Sequence, residues 1–103
     1  MTASSVTRRF PRALAPFSGH HLGVRNSPLL IFKLNVGGGF VTFAEEPPAD
    51  TTFVMSIDLA EDGQVTVLVE AVYHDASGVA VRFLELNAEA SNRISNAVER
   101  SSR

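Results

Sequence analysis

The residues with the clearest chemical potential lie near the amino terminus, in the run Arg8-Arg9-Phe10-Pro11-Arg12. This run holds three arginines within five residues, on a chain whose net charge is -2. A guanidinium group offers a planar fork of donors that fits phosphate oxygens or the O6/N7 edge of guanine. Pro11 disfavours a helix through the segment. The run therefore predicts contact with an anion or a nucleotide, and a solvated arm is the alternative.

A second candidate is the run Gly37-Gly38-Gly39. It stands between two strand-like segments and opens no helix, so it lacks the helix N-terminus that a phosphate-binding loop uses. Two interpretations remain: a β-bulge or tight corner, and a place where the backbone approaches a ligand closely. We expect an added side chain to be tolerated less well at Gly38 than at Gly39.

The remaining polar residues do not form a pattern that is typical of a catalytic or metal site. His20, His21 and His74 have no acidic or histidine partner at a convincing metal-ligand spacing. No serine lies in a nucleophile elbow, and the paired carboxylates flank predicted turns. The sequence therefore predicts a protein that is not an enzyme, with no catalytic residue and no metal site.

Composition narrows the class of protein further. A length of 103 residues with 45% hydrophobic content predicts one domain with its own core. The absence of cysteine excludes a disulfide framework and fits a cytoplasmic location. No apolar run approaches the roughly 18 residues of a membrane span, and no secretory signal is evident. A pI near 5.8 argues against a nucleic-acid polymer as partner.

The elements that must position these residues begin with an irregular region. Residues 1–12 are predicted to form a mobile N-terminal arm, and residues 13–103 the folded domain. Only short strands, at 13–17 and 21–25, are expected before residue 28, because prolines and glycines interrupt this part of the chain. The interrupting residues are Pro16, Gly19, Gly23 and Pro28.

Strand patterns are much stronger after residue 28. The predicted strands cover residues 29–35, 40–43, 51–59, 64–74 and 79–84, with turns at Glu61-Asp62-Gly63 and at 75–78. In the strand 64–74, Tyr73 is expected to share the face of Val65. Both faces of this strand are apolar, which predicts cover on both sides. Strands at this spacing indicate an antiparallel sandwich or barrel, and a barrel leaves no exposed edge.

The last segment changes to a helical period. Asn87 is a good N-cap, and Ile94, Ala97 and Val98 recur at helical spacing with Ala90. The apolar stripe is narrow, so we expect the helix to lie on the barrel with its outer face in water.

The order of these features resembles the PilZ domain, the bacterial receptor for cyclic di-GMP. Three segments carry the resemblance, which extends over nearly the whole chain: residues 8–12, 33–41 and 78–86. The last of them includes the run Gly78-Val79-Ala80-Val81-Arg82-Phe83-Leu84 and the step into the helix at Asn87. The resemblance implies an all-β fold with a C-terminal helix, built as a six-stranded antiparallel β-barrel.

The resemblance also implies a ligand site. In the family, two arginines of the arm grip cyclic di-GMP, and a loop reading Asp/Asn-x-Ser-x-x-Gly closes the other side. Aligned without a gap, this chain has Lys33, Asn35 and Gly38 at the three key positions. The acidic or amide residue accepts hydrogen bonds from guanine N1 and N2, whereas Lys33 has donors only and suits a phosphate. The implied ligand-binding residues are Arg8, Arg9, Arg12, Lys33, Asn35, Gly37 and Gly38.

Three functions follow from this resemblance and from the composition. The first is a cytoplasmic cyclic di-GMP receptor or adaptor, without another cofactor, whose arm changes position on binding and is read by a protein partner. The alternative is a degenerate PilZ protein that binds no nucleotide and acts as an interaction module in motility or pilus regulation. A single-strand nucleic-acid binder of the OB type is disfavoured by the acidic pI and the absence of tryptophan.

Overall fold

A computed structural model of the protein describes residues 15–23 and 26–101. These residues form six strands and one C-terminal helix, α1 (Ala88–Ser101). The strands are β1 (Phe17–Leu22), β2 (Ser27–Asn35), β3 (Gly38–Phe43), β4 (Thr52–Asp58), β5 (Gln64–Asp75) and β6 (Gly78–Leu84). All pairings are antiparallel, and the order β1-β2-β3-β6-β5-β4 closes because β4 also pairs with β1. The predicted six-stranded barrel with a C-terminal helix is confirmed.

The core fills the inside of this barrel with the inward face of every strand. On β4 the alternation places Phe53, Met55 and Ile57 inside, as the sequence pattern predicts. Several inward side chains have no exposed surface at all: Ile31, Leu34, Val41, Met55, Ile57, Val69 and Ile94. Because Ile94 belongs to α1, the helix is part of the same core as the strands.

The prediction that Gly19 and Pro28 interrupt the early strands is wrong. Gly19 lies inside β1, and Pro28 lies inside β2 and pairs with His20. A Cβ at Gly19 would overlap the carbonyl oxygen of Ser56 on β4. Glycine therefore allows the close approach of β1 and β4 that completes the barrel.

The prediction that β5 is covered on both faces is also wrong. Its outward side chains Leu68 and Val72 are 37% and 57% exposed, because a single barrel leaves the outer face of each strand in solvent. The pairing of β5 with β6 shifts between Ala71 and Tyr73, which indicates a bulge at Val72. The bulge reverses the alternation, so Tyr73 is 60% exposed and does not share the inward face of Val65.

The connection between β4 and β5 is a hairpin, as predicted, but its turn is longer than the run Glu61-Asp62-Gly63. A 3-10 turn (Ala60–Asp62) fills it, and the N–H of Leu59 donates to the carbonyl oxygen of Gly63 over 2.7 Å. Gly63 has φ 84°, a value that favours glycine. The predicted use of glycine at this turn is therefore confirmed, and the 3-10 turn provides a surface on which α1 packs.

Helix α1 packs against this 3-10 turn and against β2. It begins as predicted, since Asn87 Oδ1 accepts a hydrogen bond of 2.8 Å from the N–H of Ala90. Near its end, Arg100 Nη1 lies 3.1 Å from Glu61 Oε1 and 3.2 Å from Asp62 Oδ2. The helix has 14 residues, and no helix in the described part of the chain is long and apolar enough to span a membrane.

We predict that Ile94→Ala lowers the free energy of unfolding by about 2–5 kcal/mol, because Ile94 is fully buried between α1 and the strands. Ser95→Ala is the control, since Ser95 is exposed on the same helix. Chemical denaturation followed by circular dichroism measures both changes. Equal and small effects of the two substitutions would show that α1 is not part of the cooperative fold.

Candidate functional site

Four of the predicted ligand-binding residues meet in the connection between β2 and β3, which we call the 33–38 connection. β2 ends at Asn35, β3 begins at Gly38, and Val36 and Gly37 form the turn between them. Lys33 lies on the last part of β2. The three predicted arginines of residues 8–12 lie outside the described residues, so the structure assigns no position to them.

Lys33 occupies an irregular point in β2. The pairing of β2 with β3 shifts between Phe32 and Asn35, and Lys33 has φ 58°, a left-handed value that is uncommon for a residue with a side chain. Lys33 is exposed while Leu34 is fully buried. The irregularity therefore directs an ammonium group to the surface, where it can act as a point charge towards an anion.

Asn35 holds the turn of the 33–38 connection together. Its Oδ1 accepts a hydrogen bond of 2.7 Å from the N–H of Gly37, and its Nδ2 donates to the carbonyl oxygen of Lys33 over 3.2 Å. This is the turn-forming use of an Asn side chain, which closes a local ring with its own backbone. Asn35 thus has a structural role here, which the sequence analysis did not assign.

Gly38 packs against the backbone of β6. A Cβ at this position would overlap the carbonyl oxygen of Val81 and lie 2.9 Å from the Cα of Arg82, and the φ of 152° is rare for other residues. A Cβ at Gly39 would lie 2.8 Å from Cγ2 of Ile31. Both positions are tight, but the atom nearest to the added Cβ is a backbone atom at Gly38 and the end of a side chain at Gly39. Of the two interpretations of the glycine run, the structure agrees with the tight corner, and it adds a close approach of Gly38 to the backbone of β6.

Gly37 is less restricted than its two neighbours. A Cβ there would meet Asn35 Oδ1 at 3.1 Å and no backbone within 4 Å outside the adjacent residues. Its carbonyl oxygen accepts a hydrogen bond of 2.9 Å from the N–H of Phe83, which ties the turn to β6. The 33–38 connection is therefore anchored on β6 from both Gly37 and Gly38.

Two charged residues beside this connection were missed by the sequence analysis. Gly38 pairs with Arg82 on β6, and Arg82 pairs with Glu70 on β5. Arg82 Nη2 lies 2.6 Å from Glu70 Oε1, and their side chains are 63% and 34% exposed. A signal was available, because Glu70 is the one charged residue between Val65 and Tyr73. The sequence could not show that Glu70 and Arg82 lie in the same row as Gly38.

The start of β1 lies close to the 33–38 connection. Phe17 pairs with Ile31, two residues before Lys33. With adjacent strands about 4.8 Å apart and a rise of about 3.3 Å per residue, the backbones of Phe17 and Lys33 are within about 10 Å. A chain from Arg12 to Phe17 spans at most roughly 17 Å when extended. The predicted arginine arm is therefore long enough to reach the 33–38 connection.

The three histidines have different surroundings. His20 is exposed, while the ring of His21 packs edge-on against Phe53 and Phe43, with centroids 5.5 and 6.4 Å apart. His74 borders two surface depressions at the β5–β6 end of the barrel. Among residues 15–23 and 26–101, no group of three or more His, Cys, Asp or Glu residues could hold a metal ion.

Asp75 organises the turn at that end of the barrel. Its Oδ1 accepts hydrogen bonds from the hydroxyl of Ser77 at 2.7 Å, the N–H of Ser77 at 2.8 Å and the N–H of Gly78 at 3.2 Å. These bonds, first of all that from the Ser77 hydroxyl, lower the pKa of the Asp75 carboxyl. The local turn accounts for this shift without a ligand.

Comparison with solved structures places this fold among known domains. The chain is similar to the PilZ domain with c-di-GMP of YcgR from Escherichia coli, with 17% sequence identity and a TM-score of 0.68. The likeness covers 94% of this chain and 95% of that chain. No family model matches the sequence, and no curated protein matches it. The chain therefore has a PilZ-like fold, as the resemblance in sequence predicts.

We predict that Gly38→Ala lowers the free energy of unfolding by about 1–3 kcal/mol, because its Cβ would force β3 away from β6 and would require a rare φ. Gly37→Ala is the matched control and should change stability by less than about 0.5 kcal/mol. Urea denaturation measures both. A loss at Gly37 as large as that at Gly38 would contradict this account of the β3–β6 contact.

Proposed function

We propose that the protein is a receptor for cyclic di-GMP, which binds on the barrel beside the 33–38 connection. The observation that carries the proposal is the likeness of fold, over nearly the whole of both chains, to a PilZ domain whose structure includes c-di-GMP. The proposed ligand-binding residues are those that the sequence resemblance implies: Arg8, Arg9, Arg12, Lys33, Asn35, Gly37 and Gly38.

The geometry of the described residues supports this location. Lys33 presents its ammonium group at the surface, and the glycines that follow add no side chain to the turn. β1, the first strand after the arginine run in sequence, begins beside the last part of β2. Cations from two segments can thus meet at one anionic ligand, as phosphate recognition requires.

Each group has a role in this proposal. The arm arginines bind phosphate oxygens or the O6/N7 edge of guanine, and Lys33 binds a phosphate. Asn35 keeps the turn in shape through its bonds to Gly37 and Lys33. The arm changes position on ligand binding, and a protein partner reads the change in the cytoplasm, as in motility regulation. The proposed role is signalling and involves no chemical step.

A second candidate function is a protein-interaction module that binds no nucleotide. Two observations favour it. The polar atoms of the Asn35 side chain are engaged within its own turn, and Lys33 offers no acceptor for a guanine edge. The outer face of the barrel also exposes Val72 and Tyr73 side by side, at 57% and 60%. Apolar and aromatic side chains of this kind are suited to contact with a protein partner.

We predict that cyclic di-GMP gives a saturable heat of binding with the purified protein in isothermal titration calorimetry. Arg12→Ala should abolish this binding because it removes a cation from the ligand site. It should leave the melting temperature almost unchanged, since the arm is too polar to belong to the core. Arg93→Ala is the control: it removes the same charge from a helix residue paired with Glu89 and should not affect binding.

Two results would contradict this prediction in different ways. If the wild-type protein binds no cyclic di-GMP, the receptor proposal fails and the interaction module takes its place. If Arg12→Ala binds as well as wild type, the arm does not belong to the site, although the protein remains a receptor.

We predict that Lys33→Asp weakens binding of cyclic di-GMP by about 5- to 10-fold at low salt, because it reverses a surface charge that faces a phosphate. The difference should shrink at higher salt, where such charges are screened. Lys33→Gln, which only removes the charge, should have an intermediate effect. Dissociation constants at two salt concentrations test this. Tighter binding by Lys33→Asp would instead place position 33 at the guanine edge.

A further inference from the structure

Glu70 and Arg82 form a defined pair on the outer face of the barrel. Arg82 Nε donates a hydrogen bond of 2.7 Å to Glu70 Oε1, and Arg82 Nη2 lies 2.6 Å from the same oxygen. The pair lies across neighbouring strands, so its geometry is set by the β5–β6 ladder rather than by a flexible loop. Both contacts involve the same carboxylate oxygen, and a carboxylate has acceptor capacity on each of its oxygens. Oε2 can therefore accept hydrogen bonds from a further donor.

The position of this pair links it to the 33–38 connection. Gly38, Arg82 and Glu70 follow one another in register across three adjacent strands. At about 4.8 Å per strand, the backbone of Glu70 is about 10 Å from that of Gly38. Gly38 carries no side chain, so none projects from β3 in this row between the turn and Arg82. Arg82 and Glu70 therefore carry the first side chains that follow the connection in this row.

The chemistry of the pair matches one kind of nucleobase edge. The Watson–Crick edge of guanine presents the acceptor O6 next to the donors N1–H and N2–H. A guanidinium beside a carboxylate presents donors next to acceptors, which is the complementary order. Adenine also presents an acceptor, N1, next to a donor, but it offers a carboxylate one amino donor where guanine offers two. A pair of this kind would therefore favour guanine over adenine.

We propose that Glu70 and Arg82 read a guanine of the bound cyclic di-GMP: Glu70 accepts from N1–H and N2–H, and Arg82 donates to O6. This inference rests on the proposed function and adds the specificity-determining residues of that site. In this arrangement Glu70 provides the hydrogen-bond acceptor that Lys33, which has donors only, cannot provide. Lys33 is then free to bind a phosphate, and guanine is recognised from β5 and β6 rather than from the turn.

The exposure of the pair makes a clean test feasible. The side chains are 63% and 34% exposed, and ion pairs at this level of exposure contribute little to stability. Substitutions at Glu70 should therefore leave the barrel folded, which the melting temperature checks. A matched pair exists on α1, where Arg93 Nη2 lies 2.8 Å from Glu89 Oε2 beside Val65 and Thr66.

The experiment measures dissociation constants of the full chain for cyclic di-GMP and cyclic di-AMP by calorimetry. Wild type should prefer cyclic di-GMP. Glu70→Gln should weaken cyclic di-GMP binding about 10-fold or more, because one acceptor becomes a donor facing the guanine donors. It should narrow the preference over cyclic di-AMP, since an amide pairs well with adenine. Glu70→Asp keeps the carboxylate and should keep the preference, and Glu89→Gln should change neither constant.

The possible outcomes distinguish failure of this inference from failure of the proposal that the protein is a cyclic di-GMP receptor. If wild type binds cyclic di-GMP and Glu70→Gln retains both affinity and preference, the guanine-reading role is overturned while the receptor remains. If Glu70→Asp loses the preference as fully as Glu70→Gln, the carboxylate is not the group that reads the base, and the role is again overturned. If wild type binds neither dinucleotide, both the receptor and its guanine-reading residues are rejected.

Discussion

Closure of the barrel depends on the close approach of backbones from strands that are distant in sequence. Three glycines make this approach where a Cβ would collide with a carbonyl oxygen on the neighbouring strand: Gly19 against Ser56, Gly38 against Val81 and Gly78 against Val41. Two of these contacts join β3 to β6. We call this pairing the β3–β6 seam, and it connects the third strand to the last strand of the barrel. The inward side chains can fill one continuous core only because these seams are tight.

The β3–β6 seam also determines where the candidate site lies. Gly37 and Gly38 tie the 33–38 connection to β6, and the residue of β6 that pairs with Gly38 is Arg82. A turn formed by local hydrogen bonds of Asn35 is thereby held beside a charged pair from β5 and β6. The candidate site thus combines the 33–38 connection, which offers the cation Lys33 and the backbone of Gly37, with the β5–β6 pair, which offers the carboxylate of Glu70.

The separation of the 33–38 connection from the pair of Glu70 and Arg82 affects the choice between the two candidate functions. A loop whose Asn35 is engaged in its own turn and whose Lys33 offers no acceptor has lost the groups that the resemblance assigns to guanine recognition. Considered alone, the loop favours an interaction module. Considered with Glu70, it favours a receptor in which phosphate and base are recognised by different strands. The PilZ-like fold is compatible with either, because a fold positions a site and does not specify its chemistry.

Local pattern in the sequence was enough to predict most of the elements. The alternation of Phe53, Met55 and Ile57 predicts β4, and Asn87 marks the start of α1, since period and capping depend on neighbours in sequence. The barrel itself was predicted from the PilZ resemblance, and the described residues confirm it. Only the tertiary structure shows that Gly19 lies within a strand, that a bulge exposes Tyr73 and that Glu70 lies beside Arg82 and Gly38. These features arise from the register between paired strands, which no local pattern encodes.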